Sequence, residues 1–357
     1  MGFETGISWT HHTWSPWWGC TKVSDGCKHC YADSLSNRWG FKIWGQNADR
    51  RFFNDKHWND PLRWNRKAEQ AKERRRIFPS MCDPFEDRTD LIDPRHRMFS
   101  LIDRTPWLDW LLCTKRPENI IRTWPERTTY LTRCPRCGRG SDLMGGHLGQ
   151  SECDAAANRP PYHRDNVWLL ASIEDQTTAA NRVPELLRCR DLAPVLGLSA
   201  EPLLEKVDLR TGIYGSMDPD TQMGTRLEGI DWVIVGGESG PSARPMHPDW
   251  ARFLRDQCAA AHVPFFFKQW GEWQFGCNYY HEDDALREKH LDQPHTLFAR
   301  QGRTTWNPDI DGQPPPDTQI WHRVGKAAAG DLLDVRQHHE FPPGPPISRS
   351  AGSAVPA

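Results

Sequence analysis

No apolar run in these 357 residues approaches the ~20 needed to span a bilayer, so no membrane-spanning helix is expected. The first residues, Met1-Gly2-Phe3-Glu4-Thr5, lack the basic-then-apolar pattern of a secretory signal, and a cytoplasmic location is the expectation. Charge of one sign is also missing. Forty-five Lys and Arg face 47 Asp and Glu, a net charge of −2, so no global field draws the chain onto nucleic acid. There is no Gly-x-Ser-x-Gly elbow, no P-loop and no His-Glu-x-x-His, which argues against the commoner hydrolase sites. A disulfide framework is not expected either. The eleven cysteines are odd in number, and most are clustered or sit in apolar runs, favouring metal ligands and buried thiols.

What the chain does have is a compact cysteine loop near its start, Trp17-Trp18-Gly19-Cys20-Thr21-Lys22-Val23-Ser24-Asp25-Gly26-Cys27-Lys28-His29-Cys30. Cys20, Cys27 and Cys30 follow Cys-x6-Cys-x2-Cys spacing and can converge on one metal centre. A structural zinc takes four protein ligands, for which His29 is the nearest fourth donor. A cubane iron–sulfur cluster needs only these three thiolates, leaving one iron open to a ligand that is not protein. The loop reads as an open-site iron–sulfur motif.

Beyond the loop, strand-length apolar runs end in polar residues and are followed by helical segments. Ile77–Cys82 ends at Asp83, and Trp110–Cys113 ends at Thr114-Lys115-Arg116. Val167–Ala171 ends at Ser172-Ile173-Glu174, with Asp175 placed to cap a helix. Val195–Leu198 ends at Ser199-Ala200-Glu201, Trp232–Val235 at Gly236-Gly237-Glu238-Ser239, and Phe265–Phe267 at Lys268-Gln269. Such continuous apolar runs alternating with helices predict a parallel sheet covered on both faces, with six strands and a seventh, Ile7–Thr10, at the start. The polar residues at the strand ends would share one site, as they do in α/β barrels and open α/β sheets. A helix from Leu62 to about Arg75, introduced by Asp60-Pro61, carries Arg63, Arg66, Lys67, Lys72, Arg74 and Arg75. It reads as a solvated face or, more sharply, as a phosphate-binding stripe. The eighteen tryptophans are expected mainly in packing.

Residues 125–165 interrupt this rhythm. Cys134-Pro135-Arg136-Cys137 has the spacing of a zinc knuckle, for which His147 and Cys153 are the candidate remaining ligands. The alternative is an insertion without metal. The expected organisation is therefore an α/β unit over 1–273 holding that insertion, irregular cover over 274–341, and a disordered Pro/Gly/Ser/Ala tail over 342–357.

A three-cysteine loop just after the first strand of an incomplete (β/α)6-type parallel barrel resembles the radical S-adenosylmethionine superfamily. More closely, the chain resembles the phage-borne three-cysteine proteins named after phage gene products thirty-seven and sixty-eight. The matching segments are Trp14–Ser24, Cys27–Ala32, Leu112–Pro117, Ser199–Leu203, Val235–Gly240, Phe267–Gly271 and Arg323–Lys326. The resemblance implies that Cys20, Cys27 and Cys30 hold a 4Fe–4S cluster, and that S-adenosylmethionine chelates the open iron and yields a 5′-deoxyadenosyl radical. It also implies an electron donor such as flavodoxin or ferredoxin. The first cysteine gap is six residues rather than the superfamily's usual three, and His29 replaces the usual aromatic residue before the third cysteine. The superfamily's Gly-Gly-Glu cofactor ligand is absent after the second strand, where Asp83 is the candidate substitute. Gly236, Gly237 and Glu238 would line the far side of the site. Ser172 and Glu174 are candidates for the cofactor's ribose or carboxylate, and Lys115, Lys268 and Glu201 for catalysis. The basic 63–76 stretch, the knuckle and the phage resemblance together suggest a nucleic acid or nucleotide substrate. The competing reading is a non-enzymatic nucleic-acid-binding protein whose cysteine loops hold zinc.

Overall fold

The computed structural model describes residues 5–125, 163–210, 227–278, 284–291, 296–299, 305–306 and 318–344. The four candidate zinc ligands Cys134, Cys137, His147 and Cys153, and residues 345–357 of the expected tail, lie outside them.

Seven parallel strands form one curled sheet in simple sequence order. They are β1 (His12–Thr13), β2 (Arg75–Phe78), β3 (Leu108–Thr114), β4 (Val167–Ser172), β5 (Val195–Ala200), β6 (Trp232–Gly236) and β7 (Phe265–Gln269). This is a half-barrel: the alternation of apolar runs and helices led to the parallel sheet, and the resemblance to its partial closure. The first strand, expected over 7–10, pairs instead at His12 and Thr13 with Ile77 and Phe78.

The helices preceding the last parallel strand are α1 (Tyr31–Arg38), α2 (Asp55–Trp58), α3 (Asp60–Ala71), α4 (Ile92–Asp103), α5 (Ile120–Thr123), α6 (Gln176–Leu187) and α7 (Pro248–Ala260), and two more, Asp284–Leu291 and Lys326–Ala329, follow it among the described residues. Pro61 sits in the first turn of α3, where a missing N–H costs nothing. Asp175 caps α6, its carboxylate accepting from the Thr178 N–H in a reciprocal capping box. Helix α3 ends earlier than the sequence suggests, at Ala71, because Lys72 turns left-handed (φ 56°). Arg75 and Arg76 therefore open β2. Arg74 pairs with Asp109 of β3, Arg75 with Glu73, and Arg76 donates to the Trp9 carbonyl. The basic stretch is thus partly consumed by the scaffold and does not form one continuous stripe.

The core has two faces. Trp110, Leu112, Leu169, Leu196, Val233 and Phe265 pack outward against the helices. Leu111, Trp168, Leu170, Trp232, Ile234 and Phe266 fill the concave side together with Trp9. Alternation along each strand separates the two sets, and burial of both explains why the strands read as unbroken apolar runs. Most described tryptophans are buried, as expected of packing residues.

The region expected as irregular cover carries an antiparallel sheet ordered β10-β9-β11-β8, with β8 Trp273–Asn278, β9 Thr296–Ala299, β10 Thr305–Trp306 and β11 Thr318–Arg323. Residues 338–341 then return to the half-barrel. The Phe267 N–H donates to the His338 carbonyl, His339 stacks on Phe266, and the Trp232 indole donates to the Glu340 carbonyl. The Phe341 ring meets Trp232 and Phe266 on one side and the Arg76 guanidinium on the other. The segment thereby links β7 to β2 across the open side of the sheet.

Candidate functional site

The cysteine loop is fastened to the strand ends at several points. Gly19 bridges to Cys82, just past β2, and Cys20 to Trp44. Gly19 has φ +112°, and a β-carbon there would collide with the Ile43 carbonyl. Arg50 ties the adjoining segment down. It is paired with the buried Glu86 at 2.7 Å, and its remaining protons reach the Ile43 and Ala48 carbonyls and the Thr21 hydroxyl.

The middle of the loop rests on β4. Ser24 donates to Glu174 at 2.8 Å, and Gly26 lies so close to that side chain that no β-carbon fits. Glu174 is fully buried and also receives Lys115 and Arg182. Burial alone would raise its pKa, but the two cations outweigh burial and hold it below the usual carboxylate range. Asp25 reaches the β6 end through Arg244, which also takes both carboxylate oxygens of Glu238.

Two cavities open at the C-terminal ends of the strands. The smaller, about 150 Å³, is walled by Cys20, Cys27 and Cys30 and also by Cys82 and Cys113. The larger, about 320 Å³, is lined from β3 to β7 by Cys113, Ser172, Ser199, Glu201, Glu238 and Lys268, with Trp9 and Phe78 as apolar walls. Cys30, Tyr31, Phe78, Cys113, Lys115 and Ser172 border both, so the two spaces adjoin.

Burial pushes the Cys20 thiol up to about 12, and it raises Cys30, Cys82 and Cys113 as well. Arg116 works in the opposite direction at Cys20: its guanidinium lies 3.6 Å from the sulfur and favours the thiolate. Asp83 holds Arg116 in place at 2.6 Å, and also accepts from the Thr114 hydroxyl and the Lys115 N–H.

Cys20, Cys27 and Cys30 are the donor type that an iron–sulfur cluster takes, and all three line the smaller cavity. Among the described residues no three His, Cys, Asp or Glu side chains are gathered tightly enough for a single metal ion. The three loop cysteines line a hollow of about 150 Å³. Three cysteines around a hollow are the number a cluster with one open iron would use, whereas a structural zinc takes four protein ligands.

The structure brings every described candidate to this end of the sheet, but several have duties of their own. Asp83 and Glu238 spend their carboxylates on Arg116 and Arg244. The close approach allowed by Gly236 is to Glu201, whose Oε1 would lie 2.6 Å from an added β-carbon. That allowed by Gly237 is to the Trp270 carbonyl. Glu201 pairs with Lys268 at 2.8 Å, and the Ser172 hydroxyl lies 3.3 Å from the Cys113 sulfur. Sequence reasoning assigned no role to Ser24, Arg50, Arg182, Arg244, Cys82, Cys113 or Lys326. Cys82 and Cys113 carried a usable signal, since each ends an apolar run that points at the site.

No curated protein and no solved structure matches the chain. A family model does match over residues 4–342, nearly the whole chain, and by that match the chain belongs to the family described as a protein of unknown function (DUF5131).

Proposed function

We propose that the chain is a radical S-adenosylmethionine-type enzyme with a nucleic acid or nucleotide substrate. One observation carries the reading: the hollow walled by Cys20, Cys27 and Cys30 shares a wall with a larger polar-rimmed cavity at the strand ends. Cys20, Cys27 and Cys30 would hold a 4Fe–4S cluster and the adjoining cavity S-adenosylmethionine, which together supply a 5′-deoxyadenosyl radical able to take a hydrogen atom from a substrate C–H. A flavodoxin or ferredoxin would be the electron-donating partner.

The chain's own residues hold and position. Asp83 aims Arg116 at the Cys20 sulfur, where the cation favours the thiolate that binds metal. Glu174 and Arg244 clamp the loop against β4 and β6, fixing the hollow relative to the cavity. Trp9 and Phe78 give the cavity apolar walls. Lys115 and Ser172, on the shared wall, are placed to receive polar groups of the cofactor.

The test is anaerobic purification followed by iron and sulfide assays, with electron paramagnetic resonance of the dithionite-reduced protein with and without S-adenosylmethionine. About four irons per chain and a cofactor-dependent change in the signal are expected. A colourless protein that holds only zinc and gains no cluster on reconstitution would sink the reading. Cys27→Ala should lose both the cluster and cofactor cleavage, and survival of both would place the cluster elsewhere.

A further inference from the structure

The larger cavity is not evenly furnished with charge. Lys115 is committed to Glu174, and Glu238 is committed to Arg244. Lys268 pairs with Glu201, and Lys326, on the same cavity wall, has no ion-pair partner among the described residues. Within the cavity lining, two ammoniums face the one uncommitted carboxylate, Glu201, so the lining itself carries one excess positive charge, while Glu272, outside the lining, also attracts Lys326. Lys268 and Lys326 line this cavity but not the cysteine hollow, whereas Lys115 borders both. The excess charge therefore lies away from the cysteine side.

We propose that Lys268 and Lys326, with Glu201 aiming the first, form a phosphate subsite that anchors the substrate in the part of the cavity outside the cysteine hollow. Phosphate has several acceptor oxygens and can receive from both ammoniums at once, and lysine is a common phosphate ligand. Burial and then the neighbouring Lys268 lower the Lys326 pKa, more than Glu201 and Glu272 raise it. A bound anion would relieve that repulsion. Gly236 contributes by leaving room for the Glu201 carboxylate, which in turn fixes Lys268.

The inference rests on the cavity being the substrate chamber of the reaction proposed above, and it names the chemistry recognised there. The test is equilibrium binding to the reconstituted full-length chain, using thymidine 5′-monophosphate, thymidine, inorganic phosphate and S-adenosylmethionine as separate probes. The monophosphate should bind more tightly than thymidine, and inorganic phosphate should compete with it. Lys326→Gln should remove about tenfold of that preference, the scale of one charge-assisted contact, and Lys326→Arg should keep it. Lys326 keeps part of its side chain in solvent and makes no ion pair among the described residues, so both variants are compatible with folding. Lys268→Gln combined with Glu201→Gln removes the second ammonium without leaving its partner charged, and should act in the same direction. Equal binding of monophosphate and nucleoside, or a preference unchanged by Lys326→Gln, would overturn the proposal. So would a Lys326→Gln protein that loses S-adenosylmethionine and keeps the phosphate preference, which would assign the lysines to the cofactor carboxylate. Failure of the cluster to form is read separately, from iron content, and counts against the radical reading alone.

Discussion

Gly26 and Glu174 form a tight joint of the site, since the loop backbone at Gly26 presses directly on the buried carboxyl side chain. That side chain cannot step aside, because Ser24, Lys115 and Arg182 all hold it. Gly26→Ala should therefore cost about 1–3 kcal/mol, measured by denaturant unfolding, and should lower iron retention. Glu174→Ala removes one partner from two neighbouring cations and should cost about 3–5 kcal/mol, the penalty of stranding buried charge. An unfolding midpoint equal to wild type in the second variant would show that Lys115 and Arg182 find other partners. Position at the end of an apolar run marked Glu174 in the sequence, as it marked Lys115 and Glu201. Its partner Ser24 lies 150 residues away, and Arg244 lies 219 residues from Asp25. Nothing local in the chain records such pairings, so the clamps could not be read from spacing. The cysteine motif could, because its chemistry is contained within eleven consecutive residues.

At the scale of elements, the strands with continuous apolar runs were legible and β1 was not. Only His12 and Thr13 of β1 pair with β2, and the segment leading into it is held by an unusual contact. The Arg76 N–H donates to the His11 ring at Nδ1, 2.8 Å away, a bond that needs that nitrogen unprotonated. Burial, followed by the nearby Arg76 and Arg75, lowers the His11 pKa from 6.5 to about 4. The unfolded chain therefore binds the extra proton first. Stability contributed by this group should be complete above pH 6.5, fall as the pH drops, and be gone below pH 4. Urea unfolding across this window should show a steeper loss in wild type than in His11→Asn, whose amide oxygen can still accept from Arg76. Parallel pH profiles for the two would remove His11 as the cause. The boundary between α3 and β2 was misplaced for a related reason. The run Arg74-Arg75-Arg76 looks helical by propensity, but left-handed Lys72 and pairing with β3 override it.

For the whole molecule, the alternation of apolar runs and helices disclosed a parallel sheet and the end of it where the polar residues and the two adjoining cavities gather. What closes the sheet was hidden, because residues 338–341 read only as the last of the irregular cover, next to a Pro- and Gly-rich tail. Phe341 nevertheless joins the concave core beside Trp232 and Phe266 and under the Arg76 guanidinium. Phe341→Ala should destabilise by about 2 kcal/mol, less than a fully enclosed phenylalanine because the ring is partly exposed, and calorimetry would record the loss. The same arrangement bears on how the protein is made. A ribosome delivers Cys20, Cys27 and Cys30 early, but residues 338–341 only after all seven strands have been synthesised. Until then Trp232 and Phe266 face an open trough, and the half-barrel is prone to grasp another chain's aromatic residue in place of its own. Synthesis of the cysteine loop and sealing of the trough are thus separated in time by most of translation, and a chain stalled before residue 338 would have its cysteine loop and all seven strands but an unsealed concave core.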